Sequence, residues 1–129
     1  MRRLLLKIFK TRYFSAWQRK SELLDEQLLD AVKEIEQGLM DANLGSGLIK
    51  KRVGRKGEGK RGGYRTILAG KKNGIWFFVY GFAKNEKDNI DKKELAALKA
   101  LASEFFRMSE SQLHLALESK SLERVYYEQ

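Results

Sequence analysis

Positively charged residues and glycines are concentrated between positions 50 and 65 of this chain. Eight cations and one acid, Glu58, share these sixteen residues, which leaves a local excess of seven positive charges. Glycine lets a backbone approach a phosphate closely, arginine binds phosphate oxygens through two parallel hydrogen bonds, and lysine adds point charges. The stretch therefore predicts a site for a polyanion. Its cations are Lys50, Lys51, Arg52, Arg55, Lys56, Lys60, Arg61 and Arg65.

A solvated, flexible charge run is the alternative interpretation of the same stretch. We favour a fixed site, because strands that are predicted to be buried lie on both sides of the cations. Ile75 to Phe82 is the most apolar run in the chain, and such a run is typical of a central strand that is covered on both faces.

The overall composition also points to an anionic partner. The formal net charge is +9, and 33% of the residues are charged, against an average of about 25%. Nucleic acid, an anionic surface and an acidic protein are all compatible with this balance. The apolar run at residues 4–6 ends at Lys7, and no stretch approaches the roughly 20 apolar residues of a membrane span. We therefore expect a cytoplasmic protein that is not associated with a membrane.

The absent residue types limit the possible chemistry. The chain has no cysteine, which excludes thiol nucleophiles and cysteine metal sites, and His114 is the one histidine. Histidine-based catalysis, a metal and a cofactor are therefore not expected. RNA can still be cleaved by its own 2′-hydroxyl, because clustered cations neutralise the phosphate and a crowded lysine has a lowered pKa. A ribonuclease without histidine or metal is thus chemically possible.

Periodicity and capping patterns predict a small α+β domain. A helix is expected after Thr11, where Tyr13, Phe14 and Trp17 have helical spacing and fit a core better than a base-stacking site. A second helix is expected from Ser21 to Gly38, and two more after the capping pairs Asp91–Glu94 and Ser109–Gln112. Strands are predicted at Arg3–Phe9, Leu48–Val53, Tyr64–Ala69 and Ile75–Phe82, with a loop at 41–47, an N-G hairpin at 70–74 and a final short strand within Leu122–Tyr127.

The element order β-α-α-β-β-β-α-α predicts a mainly antiparallel sheet with the helices packed on one side of it. Residues 1–129 are expected to form a single domain, with a core over about residues 1–108 and a helical extension at 109–129.

Two motifs resemble the RelE/ParE superfamily of toxins, and most closely its HigB-like branch. They are K-R-V-G-R-K-G-E-G-K-R-G-G-Y-R-T-I-L-A at 51–69 and F-F-V-Y-G-F-A-K-N-E-K-D-N-I at 77–90, and the likeness runs from about Phe9 to Phe106. The resemblance implies a RelE-like fold and a toxin of a type II toxin–antitoxin system. It further implies an endoribonuclease that cuts mRNA in the ribosomal A site without a metal and so inhibits translation.

The resemblance also implies roles for particular residues. Arg65 matches the arginine that contacts the scissile phosphate, and Lys84 and Asn85 match the positions just after the last central strand. Where RelE has an arginine and then a tyrosine, this chain has Asn85 and Ile90-Asp91, so the general acid and base stay open. The expected catalytic residues are Arg65, Lys60, Lys84 and Asn85, and the expected RNA-binding residues are Lys51, Arg52, Arg55, Lys56, Arg61, Lys71 and Lys72.

Two other functions remain open at this point. ParE-like relatives share the fold but inhibit DNA gyrase, and a basic module that binds RNA without cleaving it fits the same charges. For the toxin readings, the expected partners are the ribosome, mRNA and an acidic antitoxin, which we expect to be a HigA-like helix-turn-helix protein. The antitoxin would cover the basic groove or displace the helix that follows Ser109.

Overall fold

A computed structural model describes residues 6–55, 59–71, 74–87 and 89–125 of the protein. Within these ranges the chain forms four helices and six strands. They are β1 (Lys7–Thr11), α1 (Arg12–Lys20), α2 (Asp25–Glu36), β2 (Ala42–Gly45), β3 (Leu48–Arg55), β4 (Gly59–Lys71), β5 (Ile75–Ala83), α3 (Lys92–Phe106), α4 (Glu110–Glu118) and β6 (Leu122–Arg124). None of the described helices is both long enough and apolar enough to cross a membrane.

The strands form one mixed sheet in the order β2-β3-β4-β5-β1-β6. β1 and β5 are parallel, and the other neighbouring strands are antiparallel. The predicted α+β class and mainly antiparallel sheet are therefore confirmed. The predicted loop at 41–47 was wrong in part, because Ala42–Gly45 pairs with β3 as an edge strand. The predicted final strand is confirmed at Leu122–Arg124, and its last two residues lie outside the described ranges.

Helices cover both faces of the sheet, so the prediction that they pack on one side was wrong. The near-continuous apolarity of β5 explains this arrangement, since its side chains alternate between two cores. Trp76 and Phe78 belong to the core beneath α1 and α2. Phe77 and Val79 belong to the second core, where the ring of Phe77 stacks on Phe105 of α3 with 4.6 Å between centroids.

Capping residues set the helix boundaries, and three of the four predicted N-caps are confirmed. Thr11 Oγ1 accepts a hydrogen bond from Phe14 N, and the Asp91–Glu94 and Ser109–Gln112 pairs are reciprocal. Ser21 was wrongly predicted to start α2. Its Oγ donates to Gln18 O at 2.7 Å and so helps to close α1, while α2 begins at Asp25.

A bulge in β5 decides which side chains share a face with β4. Phe78 lies opposite Leu68, whereas Tyr80 lies opposite Ile67, so Val79 is an extra residue in the ladder. The alternation of β5 changes phase at this point. As a result Tyr80 and Phe82 lie on the α3 and α4 face of the sheet, together with Arg65 of β4.

Candidate phosphate-binding site

Arg65 is a charged residue on a central strand of the sheet. It lies in β4, opposite Arg52 of β3 and Phe82 of β5, and only 6% of its surface is exposed. Its Nη1 atom is buried and has no hydrogen-bond partner within the described part of the chain. An unpaired buried donor is destabilising, and native proteins contain few of them. Among the described residues, this N–H group therefore lacks an acceptor of the kind that an anion supplies.

The charge of Arg65 is poorly compensated by its neighbours. Burial, followed by the positive charge of Arg52, lowers the pKa of Arg65, and Asp41 acts in the opposite direction. Asp41 is itself engaged by Arg52, since its carboxylate accepts the backbone N–H of Arg52 and lies 3.3 Å from the Arg52 Nε atom. Arginine stays protonated at neutral pH even in such surroundings, because its ordinary pKa exceeds about 12. Arg65 is therefore a cation in the folded protein at neutral pH.

Two further predicted residues follow β5 near the same end of the sheet. Lys84 and Asn85 are exposed in the turn after Ala83. The backbone N–H of Lys84 donates to Gly63 O at 3.4 Å, which ties this turn to β4 two residues before Arg65. The structure therefore brings Arg52, Arg65, Lys84 and Asn85 to one end of the sheet.

Other predicted cations lie elsewhere or lack described side chains. Lys51 is on the opposite face from Arg65, is 5% exposed, and its Nζ lies 2.7 Å from Glu34 Oε1 of α2. Lys71 ends β4 six residues beyond Arg65, about 20 Å along the strand. The structure describes the backbone alone for Arg55, Lys60, Arg61 and Lys71, and both Lys56 and Lys72 lie outside the described residues.

A cluster of Tyr80, Lys87 and Glu94 borders the site, and the sequence did not predict it. Tyr80 donates its hydroxyl hydrogen to Glu94 Oε2 at 2.6 Å, and Lys87 Nζ donates to Glu94 Oε1. Glu94 also accepts the backbone N–H of Asp91. One carboxylate thus joins β5, the segment that follows it and the first turn of α3. The spacing of these residues gives no signal, because the β5 bulge sets which face Tyr80 occupies.

These contacts shift the pKa values of all three groups. Hydrogen bonds from Lys87, Tyr80 and the Asp91 backbone lower the pKa of Glu94 to about 2. The hydrogen bond to Glu94 raises the pKa of Lys87, and burial, followed by the same carboxylate, raises the pKa of the Tyr80 phenol. At neutral pH the cluster is therefore a stable ion pair with a neutral tyrosine.

An apolar cavity of about 500 Å³ opens beside this cluster. It lies between the sheet and helices α3 and α4, and Tyr13 and Tyr80 are among its lining residues. No group of three or more histidine, aspartate or glutamate side chains is placed to hold a metal ion within the described ranges.

A comparison with known protein families matches residues 6–125 to the family described as "RelE toxin of RelE / RelB toxin-antitoxin system". The match spans nearly the whole chain. The protein belongs to the RelE toxin family. It is therefore a toxin of a toxin–antitoxin system, and an antitoxin is its partner. A search of curated proteins finds no match.

The unpaired guanidinium leads to a prediction about the stability of the RelE-family toxin. We expect Arg65→Met to raise the free energy of unfolding by about 1 kcal/mol, because the buried donor and its charge are replaced by an uncharged, apolar side chain. Urea denaturation measures this change. The control is Arg52→Met at the exposed neighbouring position, for which we expect a change within about 0.5 kcal/mol. A clear loss of stability in Arg65→Met would show that the guanidinium is satisfied in the fold.

The low pKa of Glu94 predicts a pH-dependent contribution to stability. Its pKa is about 2 in the folded protein against an ordinary value of 4.5, so the ionised form stabilises the fold above about pH 4.5 and this gain is lost as the pH falls towards 2. Glu94→Gln should therefore be less stable than wild type at pH 7, and the difference should shrink between pH 4.5 and 2. Urea denaturation across this range measures it, with exposed Glu104→Gln as the control. A difference that does not depend on pH would contradict the assignment.

Proposed function

We propose that this RelE-family toxin is a metal-independent endoribonuclease that cleaves mRNA on the ribosome and thereby inhibits translation. The observation that carries the proposal is the buried, ionised Arg65, whose Nη1 donor has no partner within the described residues. A phosphate oxygen supplies both the acceptor and the negative charge that this group lacks. The exposed Arg52, Lys84 and Asn85 at the same end of the sheet support the binding of a strand of RNA.

The proposed reaction uses the 2′-hydroxyl of the RNA as its nucleophile. The 2′-oxygen forms a bond to phosphorus while the bond from phosphorus to the 5′-oxygen breaks, and the 2′-hydroxyl proton leaves as the 5′-oxygen gains one. Negative charge builds on the phosphate oxygens in the transition state, where a preorganised cation in partly buried surroundings is most effective. Arg65 has this role. Lys60 and Lys84 are the proposed proton-transfer groups, and Asn85 holds the reacting atoms by hydrogen bonds.

The remaining cations divide into three groups in this proposal. The proposed RNA-backbone contacts are Arg52 and Arg55 of β3, Arg61 of β4, and Lys56, which follows β3 in the sequence. For Lys51 we propose a structural role instead, because it forms its ion pair with α2 on the other face. Lys71 ends β4 on the far side from Arg65, Lys72 follows it in the sequence, and in this proposal both bind a more distant part of the ribosomal RNA.

The net charge and the two sequence motifs also indicate which antitoxin binds this toxin. The net charge of +9 suits an acidic antitoxin, and the two motifs at 51–69 and 77–90 favour a HigB-like toxin with a HigA-like helix-turn-helix antitoxin. Action on translating ribosomes implies a cytoplasmic protein.

Primer extension on mRNA from an in vitro translation reaction tests this proposal. We expect wild-type protein to produce discrete cuts and Arg65→Ala to reduce their rate by about 100-fold or more, because it removes a charged donor at the developing phosphate charge. Arg65→Lys should fall between the two, since it keeps the charge and loses the planar fork. Lys33→Ala, which removes an exposed cation from α2, is the matched control and should cut like wild type.

Two outcomes would contradict the proposal. If Arg65→Ala cuts as fast as wild type, Arg65 does not act on the scissile phosphate. If wild-type protein leaves mRNA intact and instead stalls DNA supercoiling, the toxin inhibits gyrase.

A further inference from the structure

Tyr13 is an exposed aromatic residue whose ring stacks on that of Tyr80. It lies in the first turn of α1, and 63% of its surface is exposed. Its ring is parallel to that of Tyr80, with 5.8 Å between the centroids and 7° between the planes. Since Tyr80 occupies one side of the Tyr13 ring, the exposed surface includes the other side. The sequence predicted a core position for Tyr13, which was wrong, whereas Phe14 beside it is fully buried.

The two tyrosines continue a row of side chains that begins at Arg65. Arg65 lies opposite Phe82, and the Phe82 ring is 6.0 Å from that of Tyr80 on the same face of the sheet. Helix α1 starts directly after β1, which is the next strand beyond β5. Tyr13 therefore lies about two strand spacings, roughly 10 Å, from the strand that carries Arg65. An RNA strand whose phosphate rests on Arg65 can reach Tyr13 with a base of a neighbouring nucleotide.

Contacts on both sides of the pair hold it in place. The Tyr80 hydroxyl is fixed by Glu94 at 2.6 Å. The start of α1 is held by the Thr11 cap and by Arg12, whose guanidinium donates to the Ser119 carbonyl oxygen at 2.8 Å. A stacking surface that is rigid before binding loses little conformational entropy when a ligand arrives. This surface is thus preorganised.

We propose that Tyr13, supported from behind by Tyr80, is a stacking platform for an unpaired RNA base next to the phosphate that Arg65 binds. The proposal rests on the ribonuclease function above and adds a base subsite to it. Exposed aromatic rings bind single-stranded nucleic acid in this way, and every base has a face that can stack. The platform therefore favours a nucleotide that is free to leave its neighbours over one that is held in a duplex. Tyr13 acts as a positioning residue and takes no part in proton transfer.

The experiment is a double-mutant cycle that combines substitutions of Tyr13 with the removal of single bases from the mRNA. Cleavage on programmed ribosomes is measured for wild type, Tyr13→Phe, Tyr13→Leu and Tyr13→Ala, on mRNAs that carry an abasic site at each nucleotide flanking the scissile phosphate in turn. On intact mRNA we expect Tyr13→Phe to match wild type, and the Leu and Ala variants to raise KM about tenfold with little change in kcat. At one position the abasic site should raise the KM of wild type by a similar factor and leave that of Tyr13→Leu unchanged. Urea denaturation confirms that each variant is folded.

The Tyr13→Leu variant distinguishes base stacking from a purely structural role, because leucine can still cover the apolar cavity but has no aromatic face. If Tyr13→Leu keeps the KM of wild type, Tyr13 covers the cavity and the proposal is overturned. It is also overturned if every abasic site affects Tyr13→Leu as much as wild type, or if the Leu variant cleaves normally and loses antitoxin binding. If wild type does not cut mRNA, the proposed function fails instead. The same cycle is then measured as binding of single-stranded RNA by fluorescence anisotropy, and absence of coupling there overturns the subsite.

Discussion

The guanidinium of Arg65 is an ionised group that the surrounding sheet buries without fully satisfying. Its flanking residues on the two neighbouring strands are another cation, Arg52, and an apolar ring, Phe82. Such an arrangement is unfavourable for the isolated protein, because a buried charge needs partners. It becomes favourable when an anion arrives, and the surrounding surface then has to guide that anion. Arg52, Lys84 and Asn85 lie at the same end of the sheet, as the proposed RNA-binding function requires.

The two faces of the sheet serve different purposes. On one face, Trp17 packs edge-on against Tyr64 with 5.4 Å between centroids, and Lys51 is paired with Glu34, so this face is closed by α1 and α2. Gly81 has no side chain there because the Trp17 ring occupies the space that a Cβ would need. The other face keeps its apolar contacts beneath α3 and α4 and leaves Arg65 and the Tyr13–Tyr80 pair at its margin. Strand alternation therefore places Lys51 on the closed face and its neighbour Arg52 on the face of Arg65.

Helices and strands that depend on nearby residues were predicted well from the sequence. Those that depend on contacts with distant parts of the chain were not. The caps at Thr11, Asp91 and Ser109 depend on side chains within a few residues, and they were predicted correctly. Ser21 was misassigned because its hydroxyl closes the preceding helix, which the capping pattern alone does not distinguish. The short strand β2 carries little apolar patterning and forms through pairing with β3.

The candidate site was predictable only in part, because some of its residues are brought together by the fold and not by a local sequence pattern. The charge run and the family motifs identified Arg65, Lys84 and Asn85 as a group. Tyr80 and Glu94 were missed, because the bulge at Val79 inverts the alternation of β5 and no sequence pattern marks it. Tyr13 shares its helical spacing with buried Phe14, but it points around the end of the sheet to the other face. The position of its ring therefore depends on where α1 begins relative to β5.

The most direct test of the proposed function is whether Arg65 binds the negative charge of the scissile phosphate. Binding to programmed ribosomes is measured with mRNA that carries a 2′-O-methyl group to block cleavage and either a normal phosphate or a neutral methylphosphonate at the scissile position. We predict that the neutral linkage weakens binding of the wild-type toxin by about tenfold and does not weaken binding of Arg65→Met further. If the neutral linkage weakens both proteins equally, Arg65 does not bind that phosphate, and the central claim is wrong.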